Sequence, residues 1–301
     1  MWAFQTHNLV KNYKGKLALD NLNMNVPSGS IYGFLGVNGA GKTTTFGIAG
    51  TYTYATSGTF KVKGKLAVIP QDARFYYGRS VESQLRFLAE LSGVKRSEVE
   101  NEVKRVLEQV GLTEKAATNA EKLSHGMYKR LGIAQALLGS PDLLLLDEPT
   151  AGLDPENAFE IRNLIKELGK QKTLVISSHN LNEIADICTH VGIIHKGKMI
   201  YEGKMSEIAN SSAKVKYVLS HIDEQILGKL MKEFEWIEKF SMEANNSLHV
   251  LFSEKKIKLE EVNQQIIKAL FNTEMGVQEI HSGKSLEETF LEIINKHSKN
   301  A

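Results

Sequence analysis

A glycine-rich segment early in the chain has the residue types that bind a phosphate group. Residues 36–43, Gly-Val-Asn-Gly-Ala-Gly-Lys-Thr, satisfy the pattern G-x-x-x-x-G-K-[ST] between an apolar strand at 30–35 and a helix that starts near Lys42. Glycines let backbone N–H groups turn toward an anion, and the helix N-terminus adds positive potential. In this pattern Lys42 reaches the β- and γ-phosphates, and the Thr43 hydroxyl ligates Mg²⁺. The predicted nucleotide-binding residues here are Gly36, Asn38, Gly39, Ala40, Gly41, Lys42, Thr43 and Thr44.

Two adjacent carboxylates end an apolar strand further along the chain. Residues 143–146 are four leucines, and Asp147 and Glu148 follow them directly. The carboxyl ends of parallel strands meet at one edge of a sheet, so Asp147 would lie beside the phosphate loop and could hold Mg²⁺. Glu148 would then polarise an attacking water as a general base. Alone, both could be solvated charges at a strand end, but the phosphate loop favours the catalytic interpretation.

The spacing of apolar residues predicts the elements that position these groups. Strands at 143–146 and 173–177, separated by a helix at 156–168, predict a parallel α/β sheet buried on both faces. From about 79 to 140 the apolar period becomes helical, which predicts a helical subdomain. Residues 1–35 predict short strands with turns, and residues 51–70 predict a small antiparallel patch that ends in the apolar run 66–69.

A third motif lies between the phosphate loop and the two carboxylates. Residues 123–130, Leu-Ser-His-Gly-Met-Tyr-Lys-Arg, precede an apolar helix. With the flanking motifs they resemble the signature segment of ATP-binding-cassette (ABC) ATPases, and the resemblance spans about residues 5–205. Further matches are Gln71 for the family's Q-loop, Asp154 in Ala-Gly-Leu-Asp for its D-loop, His179 for its switch histidine and Tyr13 for the aromatic residue that stacks on adenine.

The resemblance implies a fold, a reaction and partners. The fold would be an α/β P-loop NTPase cassette with a mixed sheet core, a small antiparallel β patch and a helical subdomain. The protein would bind ATP and Mg²⁺ and hydrolyse ATP as a head-to-tail homodimer, with each nucleotide between one subunit's phosphate loop and the other's signature segment. A separately encoded integral membrane permease would supply the transport path. The chain would then be cytoplasmic and peripheral on the cytoplasmic face of the cell membrane.

The resemblance also assigns roles to single residues. It implies catalytic roles for Glu148, His179 and Gln71, and metal contacts from Thr43, Gln71 and Asp147. Nucleotide contacts outside the phosphate loop would come from Tyr13, Ser124, Gly126 and Asp154. Ser124 and Gly126 begin a helix, whose N–H groups and dipole would face the γ-phosphate across the dimer.

Two residues depart from the commonest signature of the family. His125 stands where that signature has Gly, and Met127 where it has Gln. Drug- and antibiotic-export ATPases of the family often carry a variable residue and Met there, so the resemblance points to an exporter. The alternative is a soluble, non-transport member acting in translation, DNA repair or regulation. Such members usually carry two cassettes or long coiled-coil insertions, which this sequence lacks.

Composition bounds the remaining possibilities. The 301 residues include 37 Lys and Arg against 35 Asp and Glu, a net charge of +2, which gives no global reason to expect nucleic acid as partner. The lone cysteine, Cys188, lies in an apolar helical context that predicts a core position. Residues 75–77, Phe-Tyr-Tyr, directly follow the Q-loop region, and the sequence leaves open whether they form a protein interface or pack under the helical subdomain.

A small, polar stretch at 209–213 predicts a domain boundary, so residues 1–210 would form the ATP-binding domain and 211–301 an accessory domain. The order of elements in the second domain is βαββαβ plus a last helix near 286–294, which predicts a small ferredoxin-like α+β domain. This fold also occurs in RNA-binding proteins. However, residues 211–301 contain 12 Lys and no Arg against 14 Asp and Glu. This slightly acidic balance argues against nucleic-acid binding.

Overall fold

The computed structural model describes residues 1–209, 214–243, 245–252 and 256–282. The chain divides into two compact units between Met205 and Ser206, and each is treated by itself below. The predicted boundary at 209–213 and the predicted helix near 286–294 fall largely or wholly outside the described residues. No helix in the described part of the chain is long and apolar enough to cross a membrane.

A six-stranded sheet forms the centre of the first unit. Its strand order is β5-β6-β7-β3-β8-β9, with parallel pairing throughout except for β9, which is antiparallel to β8. The strands are β3 (Ile31–Leu35), β5 (Leu66–Ile69), β6 (Leu143–Asp147), β7 (Thr173–Ser178), β8 (His190–His195) and β9 (Lys198–Lys204). Every residue of β3, β6 and β7 is buried, which explains why these strands are mainly apolar, with polar residues only at the ends of β6 and β7. The predicted parallel α/β sheet is confirmed.

A three-stranded antiparallel sheet accompanies it, in the order β2-β1-β4. Its strands are β1 (Trp2–Tyr13), β2 (Lys16–Pro27) and β4 (Ser57–Val62). The hydrophobic core that includes residues of both sheets contains Phe4, Phe34 and Phe46, and the last two rings stack 6.2 Å apart. The small antiparallel patch is therefore confirmed, but β1 and β2 are long strands of 12 residues each where short ones were expected.

The assignment of residues 66–69 to that patch is wrong. β5 pairs in parallel with β6, with Leu66 opposite Leu143, and so belongs to the central sheet. Two local features redirect the chain after β4. Gly64 takes a left-handed conformation (φ +82°), and the next amide, Lys65 N–H, donates to Asp142 Oδ2 at 2.8 Å, just before β6 begins. A short apolar run such as 66–69 fits a strand of either sheet, so its sequence alone does not decide the pairing.

Helices lie between and after these strands along the chain, and three of them form the predicted helical subdomain. They are α1 (Lys42–Ala49), α2 (Val81–Leu91), α3 (Val99–Val110), α4 (His125–Leu137), α5 (Pro155–Gly169), α6 (Leu181–Ile187) and α7 (Met205–Ala209). The subdomain consists of α2, α3 and α4, which pack against one another. The Ser80 hydroxyl caps α2, and the Ser124 hydroxyl caps α4.

The second unit has the predicted ferredoxin-like order. Its elements are β10 (Lys214–Leu219), α8 (Glu224–Lys232), β11 (Ile237–Glu243), β12 (Ser247–Phe252), α9 (Leu259–Phe271) and β13 (Val277–Ser282). The sheet order is β11-β12-β10-β13, and all three pairings are antiparallel. Alternate strand residues such as Tyr217 and Val250 pack against Leu227 of α8 and Ile266 of α9 in one core. The α+β prediction is confirmed for the described strands and helices.

Candidate active site

The phosphate loop has the backbone geometry that its glycines predict. A Cβ on Gly36 would lie 2.6 Å from the Ile194 carbonyl oxygen, and one on Gly41 would lie 2.8 Å from that of Ala18. Gly41 also takes φ +119° directly before α1, and Gly39 takes φ +79°. Larger residues at 36 and 41 would collide with backbone, so these glycines keep the loop close to β8 and β2. The other predicted loop residues differ in exposure: Asn38 and Thr43 are exposed, Thr44 is half-buried and Ala40 is buried.

Lys42 lies inside this loop as a buried ammonium group. Its Nζ donates to the Gly36 carbonyl at 2.6 Å and lies 3.3 Å from Glu148 Oε1, and both side chains are more than nine-tenths buried. A buried ammonium is stable only with such partners. Together with the backbone N–H groups at the start of α1, this positive charge makes the loop suitable for a polyphosphate. The structure thus supports the fit of a nucleotide at the predicted residues.

The two carboxylates lie at the C-terminal edge of the sheet, as expected. Asp147 ends β6 and pairs with Ser177 of β7, whose hydroxyl donates to Asp147 Oδ1 at 2.5 Å. The same hydroxyl oxygen accepts the backbone N–H of Glu148 at 2.9 Å. Glu148 takes φ +48°, so the chain turns sharply after the strand and separates the two side chains.

Ser177 was not among the predicted site residues. Its sequence signal is weak: it is the first of two serines that end an otherwise apolar buried strand. Only the pairing of β6 with β7 brings it opposite Asp147. Because its hydroxyl binds the Asp147 carboxylate and the Glu148 backbone N–H, we describe Ser177 as a residue that orients both positions.

His179 contacts the same carboxylate as Lys42. Its Nδ1 lies 2.8 Å from Glu148 Oε2, and the imidazole side chain is 55% exposed. Glu148 is therefore held from two sides, by Lys42 on one oxygen and by His179 on the other. The structure thus brings together Lys42, Asp147, Glu148, Ser177 and His179 within one set of direct contacts.

Gln71 and Tyr13 lie outside that set of contacts. Gln71 is exposed on the segment after β5, and it lines a cavity of about 570 Å³ together with Asp147 and Lys129. The Lys129 ammonium donates to the Gln71 backbone carbonyl at 2.9 Å. Burial lowers the pKa of Lys129, while the nearby charges of Asp72, Asp147 and Glu148 oppose this effect. Tyr13 ends β1 with a partly exposed ring, and the Lys11 ammonium lies 4.6 Å from its centroid.

The remaining predicted residues form a second cluster at the N-termini of α4 and α5. Ser124 Oγ accepts the Met127 N–H at 3.3 Å and caps α4. Asp154 caps α5 and accepts both the backbone N–H of Asn157, at 2.9 Å, and its side-chain amide, at 2.7 Å. These hydrogen bonds lower the pKa of Asp154. A Cβ on Gly126 would lie 2.1 Å from Asn157 Oδ1, so Asn157 connects the two helix starts.

Comparison with known proteins identifies the family of this chain. A sequence model of the family described as "ABC transporter" matches residues 19–151. The bacitracin transport ATP-binding protein BcrA of Bacillus licheniformis is 42% identical over 212 residues, covering 66% of this chain and 68% of that protein. The uncharacterized ABC transporter ATP-binding protein YcbN of Bacillus subtilis (strain 168) is 32% identical over 318 residues, covering 100% and 99%. The linearmycin resistance ATP-binding protein LnrL of the same strain is 32% identical, covering 68% and 70%.

Solved structures share the fold of the first unit. The cbiO1 protein of Clostridium perfringens, part of the ABC transporter complex cbiONQ, superposes with a TM-score of 0.63 at 28% identity. The match covers 69% of this chain and 90% of that one. The predicted cassette fold and the resemblance to the drug- and antibiotic-export subfamily are confirmed, and the non-transport alternative is not favoured. The chain therefore belongs to the ABC transporter family, as an ATP-binding subunit that hydrolyses ATP to power a transporter.

Proposed function

We propose that this ATPase energises an exporter, acting as a Mg²⁺-dependent homodimer on a separately encoded membrane permease. The observation that carries the proposal is the set of contacts around Glu148. A buried carboxylate at the end of β6 is held by the phosphate-loop lysine on one oxygen and by His179 on the other. This arrangement suits a general base beside a bound polyphosphate, because the base is oriented and close to the cation that attracts the phosphates.

The chemistry of the donors supports a magnesium ion at the proposed site. Thr43, Gln71 and Asp147 offer hydroxyl, amide and carboxylate oxygens, and Mg²⁺ typically takes one or two carboxylates together with substrate phosphates. When bound, the ion would neutralise charge on the transferred phosphoryl group. The Ser177 hydroxyl fixes one oxygen of Asp147, which leaves Oδ2 without a hydrogen bond among those found in the described residues.

The catalytic roles follow from the same contacts. Glu148 would accept a proton from the attacking water through a carboxylate oxygen. His179 would orient that carboxylate through Nδ1, and Lys42 would exchange its contact with Glu148 for the β- and γ-phosphates. Tyr13 presents a partly exposed ring for stacking on adenine. Together with the metal contact proposed for Gln71, these roles follow the sequence-based expectations for Glu148, His179 and Tyr13.

The second cluster supports a shared site between two copies. Ser124, Gly126 and Asp154 lie at helix N-termini whose N–H groups attract anions, yet their contacts join α4 to α5 and not to the phosphate loop. In a head-to-tail homodimer these residues would approach the nucleotide of the other copy. ATP would then contribute contacts to the dimer interface, and hydrolysis would weaken them.

The aromatic residues after Gln71 have different environments. Phe75 is half-buried, with its ring 5.0 Å from that of Tyr128, so it packs against α4. Tyr76 and Phe87 pack edge to face at 6.0 Å and remain partly exposed, while Tyr77 is 86% exposed. We therefore assign Phe75 to packing and propose the surface of Tyr76, Tyr77 and Phe87 as the contact with the permease.

The cargo class is inferred from relatives. Proteins named for bacitracin transport and linearmycin resistance are 42% and 32% identical to this chain, which supports export of an antibiotic or similar compound. Docking on a permease would make the chain peripheral on the cytoplasmic face of the membrane. Residues 1–210 would form the ATP-binding domain, and residues 211–301 would form an accessory domain. We expect no nucleic acid among the binding partners.

Affinity purification from gently solubilised native membranes tests this proposal. We expect a stoichiometric multi-span membrane protein to co-purify with the wild-type chain, and the Tyr76→Ala/Tyr77→Ala variant to recover much less of it. Phe159→Ala is the matched control, because Phe159 is an exposed aromatic residue on α5. Recovery only from the soluble fraction, or together with ribosomes or DNA, would contradict the transporter proposal. Equal recovery by all variants would remove the aromatic surface from the docking role.

A further inference from the structure

Two consecutive residues of α4 hold the segment that contains Gln71. The Lys129 ammonium donates to the Gln71 carbonyl at 2.9 Å, and the Tyr128 hydroxyl accepts the Phe75 N–H at 3.1 Å. The Phe75 and Tyr128 rings also pack edge to face, 5.0 Å apart. Both ends of the segment 71–75 are thus tied to α4. The two ties differ in kind, because only the one from Lys129 carries a charge.

The charge of Lys129 faces the acidic edge of the sheet. Lys129 lines the 570 Å³ cavity together with Gln71, Asp72 and Asp147. Its ammonium is attracted by Asp72, Asp147 and Glu148, and none of these carboxylates forms an ion pair with it within the described residues. Lys129 thus places a half-buried positive charge near these carboxylates without pairing with any of them. This charge repels a second cation at the same edge of the sheet.

We propose that Lys129 is a positioning residue for Gln71 and lowers the affinity of the nucleotide site for its divalent cation. The proposal rests on the function proposed above, in which Gln71 and Asp147 contact that cation. Through its carbonyl tie, Lys129 keeps the Gln71 side chain at a fixed distance from the sheet edge. Through its charge, it disfavours tight retention of the cation. Loss of Lys129 removes both effects: the tie to the Gln71 backbone is lost and the repulsion of the cation is relieved.

Hydrogen exchange on the full-length chain tests the tie without any turnover. In Lys129→Met, the Phe75 amide, which donates to the Tyr128 hydroxyl, should exchange about 10-fold faster than in the wild type, because the other end of the segment is released. Lys129→Arg, which keeps a cationic donor, should restore most of the protection. Lys104→Met is the matched control, since Lys104 is an exposed lysine on α3. Unchanged exchange in Lys129→Met would overturn the positioning role.

Binding of Mn²⁺ with a non-hydrolysable ATP analogue tests the effect of the charge. In the Gln71→Ala background, where neither protein has the amide ligand, Lys129→Met should bind Mn²⁺ about 3- to 10-fold more tightly than Gln71→Ala alone, as expected for removing one nearby cation in a partly solvated cleft. Equal or weaker binding would overturn the charge effect. If the wild type binds no Mn²⁺ under these conditions, the proposed metal site fails, whereas the exchange result for Lys129 still stands. The two failures are therefore distinguishable.

Steady-state kinetics show whether Lys129 acts through Gln71. We expect Lys129→Met to lower kcat about 3- to 10-fold and to leave KM for ATP nearly unchanged, because phosphate-loop contacts are intact. In the Gln71→Ala background the same substitution should change kcat little, since the side chain that it positions is gone. Additive losses in the double variant would overturn the proposal that the two residues form one unit.

Discussion

The side chain of Asn157 occupies the space into which any side chain at Gly126 would extend. A Cβ there would lie 2.1 Å from Asn157 Oδ1 and 2.7 Å from its Cγ. Asn157 in turn donates to Asp154, so the starts of α4 and α5 are packed as one unit. An ion pair between Arg130 and Glu160 joins the same two helices further along. Gly126 is thus required for packing within one subunit, apart from any contact that it makes across a dimer.

Replacing Gly126 with alanine should therefore destabilise the isolated subunit. We expect Gly126→Ala to lower the free energy of unfolding by about 1–3 kcal/mol, because a buried and closely packed contact must be displaced. Chemical denaturation of the nucleotide-free protein measures this. Gly132→Ala is the control in the same helix, where the Cβ would meet Ile69 at an ordinary 3.6 Å. Equal stability of the two variants would contradict the packing role of Gly126.

Ser177 should matter for both stability and activity. The Ser177→Ala change removes the donor to Asp147 and the acceptor for the Glu148 N–H, so we expect unfolding to become about 1–3 kcal/mol easier. ATP hydrolysis should fall about 10-fold as the two carboxylates lose their orientation. Ser178→Ala serves as control, because the Ser178 hydroxyl contacts Glu183 instead. Wild-type turnover in Ser177→Ala would show that this hydroxyl does not orient the site.

Tyr13 should affect nucleotide affinity more than turnover. Removing a base-stacking ring in Tyr13→Ala should raise KM for ATP about 10-fold and leave kcat nearly unchanged, whereas Tyr13→Phe should resemble the wild type. The Tyr54→Ala variant provides the control. Tyr54 is an exposed tyrosine, and only its backbone carbonyl, which the substitution keeps, accepts the hydrogen bond from the Lys11 ammonium. If Tyr13→Ala and Tyr54→Ala have the same KM, Tyr13 is not the adenine-stacking residue.

The sequence predicts the functional residues that belong to short local motifs. Lys42, Asp147 and Glu148 could be predicted because a glycine-rich loop and a leucine strand each fix their local geometry, and a parallel sheet brings the two together. The ferredoxin-like order followed from alternating strands and helices. His179, which the family resemblance singled out as a catalytic residue, lies 2.8 Å from Glu148.

Residues that act through a distant partner could not be found in this way. Ser177 becomes relevant only when β7 pairs with β6, and Asn157 only when α5 packs against α4. Lys129 is an ordinary helix residue until the chain brings Gln71 back to it across 58 positions. The same limitation explains the wrong assignment of residues 66–69, because strand pairing is decided by tertiary contacts that a local pattern does not contain.

The Glu148→Gln substitution tests the central claim most directly. Glutamine keeps the shape of the side chain but cannot accept the proton of an attacking water. Hydrolysis should therefore fall by about 100-fold or more, while binding of a fluorescent ATP analogue persists. Light scattering should show that ATP converts this variant to a stable dimer. Glu90→Gln, at an exposed position of α2, is the matched control. Near-normal hydrolysis by Glu148→Gln would remove Glu148 as the base, and a monomer with ATP would contradict the shared site.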